Sequence, residues 1–163
     1  MRSLIGSVGY FNLTDLSAGL HVVAALQNEE LPSGVDVCDL SYGGPIAAVH
    51  RLNETKPPYE RLVFVGGVED ERSEAGYRWY RWTGELPPPD EVQARITEAV
   101  SGVLDLLSYP IICEQFQALP KDVRVVEIDA VECGPGLEPS APMKELLPEI
   151  CALVKRLAGE EMA

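Results

Sequence analysis

The stretch Ser3-Leu4-Ile5-Gly6-Ser7-Val8-Gly9 gives the first indication of the fold. A short apolar run that ends at a glycine is typical of a buried β-strand stopping at a turn. Thr14 or Asp15 can then cap a helix. The apolar face of this helix is formed, at helical spacing, by Leu16, Gly19, Leu20, Val23 and Leu26. The chain therefore begins with a buried strand followed by a helix.

The strand-then-helix order recurs further along the chain. Residues 35–38 predict a second strand, and Gly43-Gly44-Pro45 predicts the start of a second helix. Residues 62–65 predict a third strand, whose uninterrupted apolar run indicates burial on both faces, as in a parallel sheet covered by helices. The aromatic residues 77–82 alternate imperfectly, which predicts an edge or antiparallel strand with one face in solvent.

The carboxyl-terminal half completes the pattern. A helix capped by Asp90 is predicted over residues 90–103, with room to continue to residue 107 before Pro110 interrupts it. Residues 123–128 predict a further strand, and residues 143–157 predict a helix with one apolar stripe. This order predicts a single domain over residues 1–163. Its fold is three-layer α/β/α, with a mainly parallel twisted sheet and one edge or antiparallel strand.

Composition limits the classes of partner. The 163 residues carry a formal net charge of −13, which repels nucleic acid and anionic lipid and favours either simple solubility or a basic protein partner. No apolar stretch approaches the roughly 20 residues of a membrane-spanning helix, so we expect a soluble, cytoplasmic protein. The four cysteines form no CxxC pair and are expected to be reduced and mostly buried.

The loops after the first three strands are the first place to search for chemistry, because ligands of open α/β sheets bind beyond the carboxyl ends of the strands. These loops lack the full dinucleotide-binding fingerprint, and the chain has no GxSxG nucleophile motif. His21 and His50 both fall in predicted helices without metal-ligand spacing. We therefore expect no cofactor.

Four carboxylates fall near this edge of the predicted sheet: Asp15, Asp39, Glu69 and Asp70. Such groups could bind a hard cation or transfer protons. In the simpler interpretation Asp15 caps its helix, Asp39 organises the following turn, and the other two lie in a solvated loop.

Four stretches, in this order, carry a resemblance to a known family: residues 7–19, Asp39-Leu40-Ser41-Tyr42-Gly43-Gly44, residues 61–68 and Gly136-Leu137-Glu138-Pro139. They resemble the motifs of the hydrogenase maturation proteases. Those endopeptidases recognise nickel and trim the carboxyl terminus of a NiFe-hydrogenase large subunit after its metal centre is assembled. The resemblance covers nearly the whole chain and implies the same α/β/α fold.

The resemblance also implies three nickel-ligand positions that line the cleft, and they fall here on Leu16, Gly66 and Val103. None of these side chains offers a donor to a transition metal. We therefore expect a cleft without metal and a non-catalytic protein, which binds a NiFe-hydrogenase large subunit or its complex as an accessory, chaperone or structural subunit.

Two alternatives remain open. One is an active endopeptidase whose rearranged site uses Asp15, Asp39, Glu69 or Asp70. The other is a structural module unrelated to hydrogenase, which associates with itself or adds a strand through residues 77–82.

Overall fold

One sheet of five β-strands forms the centre of the molecule in a computed structural model that describes residues 1–69 and 74–161. The strands are β1 (Ser3–Val8), β2 (Val35–Asp39), β3 (Arg61–Glu69), β4 (Gly76–Arg81) and β5 (Asp122–Ala130). Their order in the sheet is β2-β1-β3-β5-β4. The first three strands and β5 run parallel, whereas β4 runs antiparallel to β5 at the edge. The predicted mainly parallel sheet with one antiparallel edge strand is confirmed.

Helices cover both faces of the sheet. A 3₁₀ turn over Thr14–Ser17 leads into the first helix. The helices are α1 (Ala18–Leu26), α2 (Gly44–Glu54), α3 (Pro89–Val100), α4 (Ser108–Gln115) and α5 (Ala141–Gly159). The first and last pack together on one face, and the other three pack on the opposite face. This is the expected three-layer α/β/α arrangement.

Alternation along the strands divides the core into two layers, because successive side chains of a strand point to opposite faces. In β3, Leu62 and Phe64 pack under α2 and α4, whereas Val63 and Val65 pack under α1 and α5. All four of these side chains are fully buried. Burial on both faces explains why the strand has no polar alternation.

The prediction for residues 90–115 was wrong in two details. The N-cap of α3 is Pro88, without a side-chain capping bond, so Asp90 lies inside the first turn rather than at the cap. The helix ends at Val100, and α4 then begins at Ser108, where no helix was predicted. Pro110 stands in the first turn of α4, where the missing N–H has no intrahelical partner to lose, so proline starts this helix instead of interrupting one.

Two buried arginines hold the carboxyl end of α5 against the sheet. The Nη1 atoms of Arg61 and Arg124 donate to the carbonyl oxygen of Leu157 at 3.0 and 2.9 Å. Arg61 also binds Asp122 through Nε at 2.6 Å. Burial alone would raise the pKa of Asp122, but its hydrogen bonds and ion pairs with the two arginines outweigh burial and lower it. The last carbonyl groups of a helix need such donors, because no intrahelical N–H reaches them.

No helix in the described part of the chain is both long enough and apolar enough to cross a membrane.

Candidate functional site

A cleft of about 470 Å³ opens at the carboxyl ends of β1 and β2. Three segments form its walls: the loop after β1, the loop after β2, and the end of α3 with the residues that follow it. The lining residues are Gly9, Tyr10, Phe11, Asp39, Ser41, Tyr42, Gly43, Gly44, Ala99, Val100, Gly102 and Leu104. The loops after the first two strands were the predicted place for a site. Leu16, Gly66 and Val103 were also expected to line the cleft, but they are not among its described lining residues; Gly102 and Leu104, on either side of Val103, are.

Hydrogen bonds join the two strand-end loops. The backbone N–H of Gly9 donates to Ser41 Oγ at 2.9 Å, and the N–H of Ser41 donates to Asp39 Oδ1 at 2.8 Å. Ser7 Oγ donates to the same carboxylate oxygen at 3.2 Å. Asp39 therefore organises the turn that follows β2, as the simpler sequence interpretation predicted.

The third wall is fixed by a tyrosine. The backbone N–H of Leu104 donates to the hydroxyl oxygen of Tyr10 at 2.7 Å, which connects the loop after β1 to the segment between α3 and α4. Tyr109 donates from its hydroxyl to the carbonyl of Leu40 at 2.8 Å, beneath the second loop. The cleft is therefore held open by contacts within the chain itself.

The surface of the cleft is mostly apolar and unusually exposed. Phe11 is 69%, Tyr42 is 94% and Val100 is 76% exposed to solvent. Among the described residues that line the cleft, Asp39 is the one that carries a charge. Large apolar side chains grouped at the mouth of a cleft are typical of a binding surface, because water-exposed apolar patches lower the free energy when a partner covers them.

Two glycines shape the second wall. Gly43 has a φ of 79° and Gly44 a φ of 70°, in the left-handed region that side chains disfavour. A Cβ on Gly43 would also lie 2.7 Å from the Cβ of Ala47. The tight turn before Pro45 therefore requires Gly43 and Gly44, the two glycines of the stretch that resembles the family motif.

Asp15 is fully buried and serves a different purpose from the predicted helix cap. No side-chain bond caps the 3₁₀ turn or α1. Instead Asp15 Oδ1 accepts the N–H of Ser140 at 2.7 Å, and Oδ2 accepts the Ser140 hydroxyl at 2.8 Å. The N–H groups of Val131 and Glu132 also donate to Oδ2, at 3.0 and 3.1 Å. The carboxylate thus links the segment after β1 to the residues that follow β5 and to the residue that precedes α5.

The three positions that the resemblance assigned to nickel ligands lie on separate elements. Leu16 is buried in the 3₁₀ turn, and Gly66 is buried in β3, where it pairs with Val8. Leu16 packs next to Gly67, where an added Cβ would lie 3.1 Å from the Cα of Leu16, whereas a Cβ on Gly66 would meet Val8 and Leu106 instead. Val103 is 40% exposed on the segment between α3 and α4.

Solved structures establish what kind of fold carries this cleft. No protein-family model matches the sequence, and no curated protein matches it either. An endopeptidase from Escherichia coli matches with a TM-score of 0.71 at 20% identity, covering 99% of this chain and 96% of that one. HybD, a hydrogenase maturating endopeptidase of E. coli, matches with a TM-score of 0.68 at 19% identity, covering 94% and 90%.

A third neighbour comes from an archaeon. The hydrogenase 2 maturation peptidase of Thaumarchaeota archaeon SCGC_AB-539-E09 matches with a TM-score of 0.62 at 22% identity, covering 98% of this chain and all of that one. The chain has the hydrogenase maturation endopeptidase fold. The predicted fold class is therefore confirmed over nearly the full length of the chain.

At the three positions that the resemblance assigns to nickel ligands, this chain has two apolar side chains and a glycine. A transition metal needs nitrogen, oxygen or sulfur donors, and Leu16, Gly66 and Val103 provide none from their side chains. Across residues 1–69 and 74–161, no group of three or more histidine, cysteine, aspartate or glutamate residues is arranged to hold a metal. Glu69 is exposed at the end of β3. Asp70 lies outside the described residues.

Cys133 is a neighbour of this region that sequence reasoning did not identify. Its thiol is partly buried, and burial raises its pKa, with smaller contributions in the same direction from the carboxylates of Glu69 and Asp15. The thiol therefore resists forming the thiolate that metals and electrophiles require. No sequence spacing connects Cys133 to Asp15, so only the fold reveals their proximity.

The two histidines lie in helices, as predicted. His21 is on α1, where it lines a shallow surface depression with Lys144 and Cys151. His50 is exposed on α2. Neither is among the residues that line the cleft.

Proposed function

We propose that this chain is a non-catalytic protein with the endopeptidase fold. It binds a NiFe-hydrogenase large subunit, or a complex that contains it, through the cleft between the loops after β1 and β2. The observation that carries the proposal is the chemistry of Leu16, Gly66 and Val103, which stand where the resemblance expects nickel ligands and offer no donor atoms. Leu16, Gly66 and Val103 are not among the described residues that line the cleft, so binding through the cleft does not depend on the absent donors.

The cleft has the properties of a binding site for a protein segment. Its volume lies in the range of about 300–1,000 Å³ that is usual for ligand pockets, and its walls are mostly apolar. Exposed Phe11 and Tyr42 can each bury a large ring against a partner, which is how most of the binding energy in protein interfaces is concentrated. The hydrogen bonds of Gly9, Ser41 and Leu104 fix the walls before binding, so little ordering cost opposes it.

The proposal is tested by binding a purified NiFe-hydrogenase large-subunit precursor to the immobilised chain. Phe11→Ala and Tyr42→Ala should each weaken binding by about tenfold or more, because truncated interface aromatics typically cost over 1 kcal/mol. Phe116→Ala is the matched control, because Phe116 is also exposed, at 48%, but lies at the end of α4 and does not line the cleft. Equal effects of all three variants, or no binding, would contradict a role for the cleft.

Catalysis is tested separately by incubating the precursor with the chain, with and without nickel. The proposal expects the carboxyl terminus of the precursor to stay uncut in both conditions. Nickel-dependent cleavage that disappears in a folded Asp39→Asn variant would instead establish the active endopeptidase, since Asp39 is the carboxylate that reaches the cleft.

A further inference from the structure

The outer edge of β4 has free backbone groups. The strand pairs with β5 on one side, and no other strand of residues 1–69 and 74–161 pairs with its opposite side. The N–H of Trp82 donates to the carbonyl of Val123 at 2.9 Å, which fixes the phase of the antiparallel ladder. Because hydrogen-bonded and non-hydrogen-bonded residues alternate along an antiparallel pair, the backbone N–H and C=O groups of Arg78 and Tyr80 also point toward β5. The backbone groups of Tyr77, Trp79 and Arg81 point outward.

This edge lacks three of the common protections against pairing, although it carries two arginines. Natural edge strands are commonly blocked by proline, by a bulge or by short length. Residues 76–81 contain no proline, and all six pair with β5 in unbroken register. Trp79 is 40% exposed along the strand. The edge is therefore able to accept another strand without rearrangement of the sheet.

The charge of β4 differs in sign from that of the whole chain. The protein carries −13, yet β4 contains two arginines and no carboxylate. Arg78 forms an ion pair with Glu127 within the sheet. Arg81 is exposed and forms no ion pair or side-chain hydrogen bond with the described part of the chain. An incoming strand with carboxylates near Arg81 would neutralise this charge.

We propose that the outer edge of β4 binds an extended acidic segment of a partner protein as a sixth strand of the sheet. The outward groups of Tyr77, Trp79 and Arg81 supply main-chain hydrogen bonds, and Arg81 selects for acidic side chains. A second copy of this chain is the less favourable occupant. The β4 strand of a second copy contains no carboxylate that could face Arg81.

A proline substitution can block pairing at the outer edge of β4 without disturbing its pairing with β5. Trp79→Pro removes an outward N–H and leaves the ladder to β5 intact, since proline is tolerated where the N–H faces away from the neighbouring strand. Trp79→Ala is the matched control, because it removes the same indole but keeps the N–H. The probe is a fluorescent, end-capped peptide of alternating glutamate with valine and threonine, and the same peptide with lysine in place of glutamate provides the charge comparison.

Fluorescence anisotropy with the full chain measures binding. We expect the glutamate peptide to bind the wild type and Trp79→Ala, and to bind Trp79→Pro at least about tenfold more weakly because the main-chain bonds are lost. The lysine peptide should bind about tenfold more weakly than the glutamate peptide. Arg81→Glu should weaken glutamate-peptide binding by about fivefold or more. Arg51→Glu makes an equal charge change at an exposed position on α2 and should change binding by less than about twofold.

Amide exchange supplies a readout that does not depend on the peptide label. The N–H groups of Trp79 and Arg81 should exchange fast in the free chain and slow when the glutamate peptide binds, while that of Tyr80 stays protected throughout. Equal affinities of Trp79→Pro and Trp79→Ala, both folded by circular dichroism, would overturn the proposal. So would equal binding of the two peptides, or a dimer in light scattering that Trp79→Pro dissociates, since the occupant would then be a second copy.

Discussion

Replacing Asp15 by asparagine should strongly destabilise the fold. The fully buried carboxylate accepts hydrogen bonds from Val131, Glu132 and, twice, from Ser140. The amide of asparagine has one oxygen, which keeps the three bonds of Oδ2 if the amide nitrogen replaces Oδ1. That nitrogen then faces the N–H of Ser140, so two donors meet and neither is satisfied.

The cost follows from the bonds that are lost or weakened. An unsatisfied buried donor costs about 1–3 kcal/mol, and each bond to a charged acceptor exceeds its neutral equivalent by about 1 kcal/mol. Because the three remaining bonds share one acceptor, their losses do not simply add. We expect Asp15→Asn to lower the free energy of unfolding by about 3–5 kcal/mol, a large part of the roughly 5–15 kcal/mol of a typical domain.

Urea unfolding followed by circular dichroism measures this loss, with Asp39→Asn as the control. Asp39 is only partly buried, and Oδ1 alone accepts its two bonds from Ser7 and Ser41. An asparagine oxygen can replace Oδ1, so we expect a loss under about 1 kcal/mol. An Asp15→Asn variant within about 1 kcal/mol of the wild type would refute the reasoning. Asp39→Asn is consequently the sharper variant for any catalytic test, because it should stay folded.

Three further predictions concern the groups around the sheet. The pKa of Asp122 is lowered from its ordinary 3.8, so the ionised carboxylate stabilises the fold above that pH, and this stabilisation is lost as the pH falls through the folded-state pKa. Asp122→Asn removes this group, so the free energy of unfolding should depend less steeply on pH in the acid range. Because the pKa of Cys133 is raised, iodoacetamide should alkylate its thiol more slowly at pH 8 than it alkylates a free cysteine, and mass spectrometry of the labelled peptide checks this. Gly66→Asp should cost about 2 kcal/mol or more in urea unfolding, because its Cβ would lie 2.6 Å from the carbonyl oxygen of Val8, whereas Val103→His on the exposed segment should cost under about 0.5 kcal/mol.

The sheet could be predicted from the sequence because its information is local. The apolar runs of β1 and β3 and the aromatic run of β4 each contain the pattern of a buried or an edge strand. The loops at their ends followed from the general rule for open parallel sheets. Helix α4 was missed because Pro110 reads as a break unless its position in a first turn is known.

The site was harder to predict because its contacts are distant in sequence. Asp15 reads as a helix cap by local rules, yet its partners lie 116–125 residues away. The third wall of the cleft depends on a bond between Tyr10 and Leu104, separated by 94 residues. No periodicity or motif encodes such pairs, so the sequence could identify the loops but not the contacts that fix them.

Close backbone packing around Gly66, Gly67 and Gly19 gives a physical reason why an aspartate at Gly66 would strain the fold. A Cβ on Gly66 would lie 2.6 Å from the carbonyl oxygen of Val8, and one on Gly67 would lie 2.7 Å from that of Asp15. A Cβ on Gly19 would lie 2.5 Å from the carbonyl oxygen of Val65. These contacts are with main chain, which cannot move aside as a flexible side chain can. Placing an aspartate at Gly66 would therefore require β1 and β3 to separate locally. The backbone packing itself disfavours a side-chain donor at this position.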